Sequence, residues 1–165
     1  MTWGKSSGGN IYGMPVHSVH QGHAGSRKVK VVCRGCNNGW MSRIETRGRR
    51  VLMPLVQGQS HRLSTFDQLV LASWVAKTVM VAEYVYPTHI AISDRDRLWM
   101  YANLEPPPKG WHIWIAHYAG IKWRNLAIYH HIGGLSKPTG LDTQFTSIGM
   151  GVCVVRVFET ASSAN

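Results

Sequence analysis

Apolar residues surround a helical wheel drawn from Thr65 to about residue 85: Leu69, Leu71, Trp74, Val75, Val79 and Met80 leave no continuous polar side. A helix without a polar face cannot lie on a surface, so the rest of the chain has to cover it. Thr65-Phe66-Asp67-Gln68 has the pattern of a capping box and predicts where it starts. Lys77 and Glu83 interrupt the apolar run from Leu69 to Tyr86, which argues for a buried core helix and against a membrane span.

The flanks differ in period. Upstream, Arg27 to Val32 reads as a short strand, and Asn37 or Asn38 is a candidate cap for a helix carrying Trp40, Met41, Ile44, Leu52 and Leu55. Gly48 and Pro54 predict a break in that helix near Arg49. Downstream, Ser93-Asp94-Arg95-Asp96 opens a short helix through Tyr101, and Pro106-Pro107-Pro108 ends it as a stiff linker. Strand-like segments follow at Trp111 to Tyr118 and Trp123 to Ile132, joined by a turn at Gly120. Gln144 to Phe158 reads as one bulged strand or two, with Gly149 and Gly151 as the irregularity. Helices first and antiparallel strands second make an α+β chain. The expected layout is a poorly ordered, glycine-rich segment over 1–26 and one domain over 27–160. That domain divides into a basic knuckle and helix (27–62), a helical core (63–104) and antiparallel strands (110–160).

Charge is as uneven as period. Eighteen Lys and Arg against eight Asp and Glu give +10. Residues 1–62 hold ten of the basic residues and a single acid, Glu45. Nearly all the positive charge therefore belongs to one end, a pattern suited to a phosphate-rich partner. Lys28, Lys30, Arg34, Arg43, Arg47, Arg49 and Arg50 are the candidate nucleic-acid contacts. Trp111, Trp114, Tyr118, Trp123 and Tyr129 could form a base-stacking platform. Trp111, Ile113 and Ile115 alternate against His112, Trp114 and Ala116, as in a sheet with two partly buried faces, and with a near-neutral neighbourhood this favours core packing instead.

Three cysteines are present, two of them as Cys33-Arg34-Gly35-Cys36. Met1 to Gly25 lacks the apolar stretch of a secretory signal, so the expected location is the reducing cytoplasm. There a CxxC pair more often binds metal or does redox work than forms a structural disulfide. Two thiolates supply half of a tetrahedral zinc site. His17 and His20 repeat the spacing of the cysteines and, with His23, are candidates to complete it. A redox role lacks the parallel α/β setting that usually accompanies it. Cys153, within Val152-Cys153-Val154-Val155, reads as a small core residue.

The segment Val31-Val32-Cys33-Arg34-Gly35-Cys36-Asn37-Asn38-Gly39-Trp40-Met41-Ser42-Arg43-Ile44-Glu45 resembles one found in bacterial and phage HNH-type endonucleases. Gln68, Leu71, Ala72, Trp74 and Lys77 are similar to the helix that follows it, so the resemblance covers about residues 28–80. It implies a ββα unit holding one divalent cation, Mg or Mn, with a histidine as general base on water. It also implies a structural Zn between two CxxC pairs, Cys33 and Cys36 being the second pair. Asn37 matches the last motif position, a candidate ligand of the catalytic cation.

The first CxxC and the acidic-His pair of that family have no counterpart before Cys33. Three arrangements are compatible with this: the catalytic half is lost, the chain is part of a longer frame, or His17, His20 or His23 supplies the base. The functional expectation is a DNA-binding protein of HNH-endonuclease type with an incomplete catalytic site. The alternatives are an active metal-dependent nuclease and a protein-interaction or inhibitory module with a purely structural knuckle.

Overall fold

The computed structural model describes residues 31–85, 92–121, 127–133 and 143–160. The expected disorder over 1–26, the candidate residues His17, His20, His23, Lys28 and Lys30, and most of the strand expected over 27–32 lie outside them. Residues 31 and 32 themselves are not in a strand. The fold is α+β, with the helices first and a four-stranded antiparallel sheet after them.

The helices begin with a single turn, α1 (Arg34–Cys36), and a π-turn over Asn37–Met41. Gly39 breaks the helical path there, with φ −93° and ψ −109°. From Ser42 the chain runs as α2 (Ser42–Val56) without the expected break at Arg49. Gly48 explains why. It faces α3 (Thr65–Ala82), and a Cβ on it would lie 2.6 Å from Trp74 Cδ1. The missing side chain weakens helix propensity but lets the two helices approach closely enough to seal Trp74, and the packing prevails. Pro54 falls in the last turn, so the one intrahelical partner it denies is that of the carbonyl of Arg50, an exposed residue near the helix end.

The capping box of α3 is one residue earlier than expected. Ser64 Oγ accepts the Asp67 N–H at 3.1 Å, and Asp67 Oδ2 accepts the Ser64 N–H at 3.1 Å. Val70, Leu71, Trp74, Val75, Ala76, Val79 and Met80 of α3 are buried, with Val75, Ala76 and Val79 reaching 0% exposure. From Val70 onward the apolar surface is thus covered, by α2 on one side and the sheet on the other, while Phe66 and Leu69 in the first turns stay exposed. Helix α4 (Asp94–Asn103) starts at Ser93, as read from the sequence, and ends at a left-handed Leu104 ahead of the prolines.

The strands are β1 (Trp111–His117), β2 (Ala127–Gly133), β3 (Thr143–Met150) and β4 (Cys153–Thr160), in spatial order β1-β4-β3-β2. The turn at Gly120 therefore does not join neighbours: β1 pairs with β4, and β1 and β2 hold opposite edges. Residues 144–158 are two strands in a hairpin. Gly151 takes φ +56° at its tip while Val152 keeps a negative φ, as a two-residue turn of the II′ kind requires. A Cβ on Gly151 would lie 2.2 Å from the Val56 carbonyl oxygen. That carbonyl, at the end of α2, accepts the Val152 N–H at 3.2 Å. The hairpin tip and the helix end thus satisfy each other.

Ile148, Val155 and Val157 line the inner face of the sheet against Val75, Val79 and Met100. Cys153 is buried with them, and burial pushes its thiol up to about 11, consistent with a core residue. At the other end of this face the core turns polar. Glu83 is ion-paired with Arg97 and accepts the Ile92 N–H at 3.0 Å. Asp96 accepts Trp111 Nε1–H at 3.1 Å, tying α4 to β1. Gln144 and Glu159 are cross-strand partners, each 1% exposed. Glu159 Oε2 and Gln144 Oε1 have no hydrogen-bond partner among the described residues.

Burial, reinforced by the nearby Asp96 and Glu83 carboxylates and opposed by Arg97, raises Glu159 to about 7. A raised carboxyl pKa means that the folded state holds its proton longer than the unfolded chain. The stability linked to Glu159 is then complete below about pH 4.5 and is lost as pH rises through 7. Glu159→Gln should leave the melting temperature nearly unchanged at pH 5 and raise stability at pH 8 by about 1–3 kcal/mol. Thermal melts of both proteins across that range check it, and an equal effect at both pH values would contradict the assignment.

Candidate nucleic-acid interface

Cys33 stands at the N-cap of α1, and its sulfur accepts the Cys36 N–H at 3.2 Å. That bond, with Cys36 as the dominant partner, holds the Cys33 thiol below its ordinary pKa and favours the thiolate. Cys33 is exposed and Cys36 partly so. Two sulfurs on one turn fit one edge of a tetrahedral zinc. The described residues contain no group of three or more His, Cys, Asp or Glu able to hold a metal ion. They therefore supply half of the expected zinc site.

The catalytic cation fares no better there. Asn37 is exposed, and its Nδ2 donates to Asn38 Oδ1 at 3.4 Å. Glu45, the nearest carboxylate in sequence, faces elsewhere. Its Oε2 accepts Trp74 Nε1–H at 2.7 Å, and its Oε1 pairs with Lys77 Nζ. A neutral amide oxygen without a carboxylate beside it is a poor seat for a hard cation.

The orientation of Glu45 shapes the surface of α2. It is the single acid in residues 1–62, and Lys77 and Trp74 of α3 occupy both of its oxygens. On the opposite side of the helix Arg43, Arg47 and Arg50 recur at four and then three residues, which places them on one stripe about 10 Å long. Arg49 lies on the other flank, and Arg34 on the preceding turn. All five are exposed, and none has a carboxylate partner among the described residues. Arg43 and Arg47 line a shallow cleft of about 250 Å³ together with Asn38, Gly39, Ser42 and Thr46. Its walls carry hydroxyl, amide and guanidinium donors and no acid.

Sequence reading identified these arginines but missed Asn38, Ser42 and Thr46. The available signal was spacing: Ser42 and Thr46 stand one residue before Arg43 and Arg47, so they repeat at the same helical interval. It also placed Trp114 in the core, whereas Trp114 is 53% exposed on the outer face of the sheet. Trp111 is partly buried and packs against the core as expected. Trp123 lies outside the described residues.

No helix among the described residues is long and apolar enough to cross a membrane. Comparison with known proteins finds no matching family model, curated protein or solved structure.

The Glu45–Lys77 pair has a testable energetic consequence. Burial pushes Lys77 down to about 8, which leaves it mostly charged at neutral pH and ion-paired with Glu45. Glu45→Gln leaves a buried ammonium without its counter-charge and should destabilise by about 1–3 kcal/mol at pH 7. Lys77→Met in the same background should recover most of that loss. A lysine whose folded pKa is lowered sheds its proton first in the folded state, so stability linked to it rises with pH between about 8 and 10.5. Denaturant melts of the Glu45→Gln variant at pH 7 and pH 9 should therefore converge toward wild type at the higher pH.

Proposed function

We propose that this chain binds nucleic acid, duplex DNA foremost, through the arginine face of α2, and that it is an HNH-endonuclease-type knuckle protein with an incomplete catalytic site. The observation that carries the reading is the segregation of charge on α2. Three arginines form an exposed stripe free of carboxylates, while the segment's one acid is turned to the other side of the helix, onto Lys77 and Trp74 of α3. Guanidinium groups without internal partners are available for phosphate oxygens, which they match in charge and planar geometry. The donor-lined cleft at Asn38, Ser42 and Thr46 extends that surface toward the knuckle. In this reading the knuckle orients α2 and does no chemistry. Asn37 has no carboxylate to share a cation with among the described residues, so no hydrolytic step is assigned to it.

Binding of a labelled duplex should weaken steeply with salt, because each neutralised phosphate releases counterion. Three to five contacts give a slope of log K against log salt of about −2.7 to −4.5. Arg47→Glu/Arg50→Glu should reduce the slope by about 2 and weaken all sequences alike. A slope near zero, or binding unaffected by the double variant, would remove α2 as the interface.

With Mg²⁺ or Mn²⁺ the chain alone should not nick supercoiled plasmid above background. The assay compares wild type with Asn37→Ala and with His17→Ala/His20→Ala/His23→Ala. Robust cutting abolished by either variant would replace the binding reading with that of an active nuclease.

A further inference from the structure

Among the described residues, the helices cover one face of the sheet. The pairing register assigns the other face to His112, Trp114 and Ala116 of β1, Val154, Arg156 and Phe158 of β4, and Phe145, Ser147 and Gly149 of β3. The aromatic groups on it form a connected series. The His112 and Trp114 rings are 5.9 Å apart and nearly parallel, at 20°. His112 lies 6.2 Å from Phe158, and Phe158 lies 6.4 Å from Phe145. The Arg156 guanidinium sits 4.8 Å from the Phe145 centroid, and its Nε donates to Ser147 Oγ at 3.4 Å. His112, Trp114 and Arg156 are exposed, Phe145 and Phe158 are half-buried, and Ser147 and Gly149 are buried, so the accessible part of the face lies on β1 and β4 and at Phe145. No Asp or Glu stands at any outward position of the four strands: the one carboxylate in them, Glu159, points inward.

We infer that this face is a stacking platform for single-stranded nucleic acid, separate from the duplex-binding face of α2. Unstacked bases lie on aromatic rings and guanidinium planes with little regard to base identity, and a cation beside the rings suits the phosphates between them. The composition favours this occupant over a second copy of the chain. The aliphatic groups on the described part of the face are Ala116 and Val154, whereas a self-associating seam is dominated by apolar contact. An exposed cationic side chain at its centre would be buried in such a seam without a counter-charge, since the face has no acid. A base pair inside a duplex has no free ring face to offer, so the platform discriminates single strands from the double-stranded ligand of α2.

The test uses the full chain and a fluorescein-labelled oligothymidine of about 16 nucleotides, read by anisotropy beside the labelled duplex. Trp114→Ala and Phe145→Leu are each expected to weaken single-strand binding about tenfold and to change duplex binding less than twofold, with Trp114→Tyr retaining near wild-type affinity. Arg47→Glu/Arg50→Glu should weaken the duplex more than the single strand. Photo-crosslinking of wild type to 5-iodouracil-substituted oligonucleotide needs no variant to fold, and adducts should map to peptides from β1, β3 or β4. Single-strand affinity unchanged in both ring variants, or adducts confined to α2, overturns the platform while leaving the duplex reading intact. Loss of duplex binding in wild type with single-strand binding preserved does the reverse. A dimer in sedimentation that dissociates on Trp114→Ala overturns the platform in favour of a seam between copies.

Discussion

Everything in this fold answers to α3, whose middle has no side that tolerates water. Val75, Ala76 and Val79 are fully enclosed, which requires cover from more than one direction. The close cover comes from α2, and it depends on the absence of a side chain at Gly48. With any Cβ there, Trp74 would have to shift, and Glu45 and Lys77, which meet beside the same indole, would shift with it. The other cover comes from the sheet through Ile148, Val155 and Val157. The two covers are joined at Val56, where the end of α2 receives the β3–β4 hairpin tip. Helix packing, hairpin geometry and the orientation of the knuckle are therefore one mechanical system.

Much of this was legible in the sequence because it is local. The apolar wheel of α3, the Ser93 cap of α4 and the switch from helical to alternating period each follow from residues close in the chain. What was illegible depends on distant partners. Gly48 reads as a helix breaker until Trp74 is placed beside it. Gly120 reads as a hairpin turn between Trp111–Tyr118 and Trp123–Ile132, yet β1 pairs with β4, because strand order is decided by which edges the helices leave available. Trp114 reads as core by composition, but alternation says only that two faces differ; it does not say which is covered. At the interface, the arginines of α2 were visible as a charge excess. Their freedom was not, because it depends on where Glu45 finds its partners, 29 and 32 residues away.

The acids give the surface its character. Of the eight Asp and Glu, five serve internal groups or are buried. Asp67 holds a capping box, Glu45 holds Trp74 and Lys77, Glu83 holds Arg97, Asp96 holds Trp111, and Glu159 is enclosed beside Gln144. A formal +10 would be a weak argument for a phosphate partner if acids alternated with bases over the surface, since neighbouring opposite charges cancel within a Debye length. Here the carboxylates withdraw into caps, ion pairs and the core, so the outward potential of α2 is not cancelled locally.

The same withdrawal connects the two exposed surfaces. On α2 an acid turned toward α3 leaves a cationic stripe; on the sheet an acid turned toward the helices leaves aromatic rings and a single guanidinium. The Glu45 side chain stays 52% exposed while bonding Trp74 and Lys77, whereas Glu159 is enclosed, which costs desolvation energy that a neutral residue would not incur. That cost is met by holding the Glu159 carboxyl toward its neutral form, which burial and the Asp96 and Glu83 carboxylates favour and Arg97 opposes. An inward acid on a strand is therefore compatible with stability only where the pleat keeps its alternation in register. A one-residue slip of β4 would bring Glu159 outward beside His112 and Phe145 and drive Phe158 and Arg156 into the core. The electrostatics of the platform and the register of the sheet are thus the same constraint.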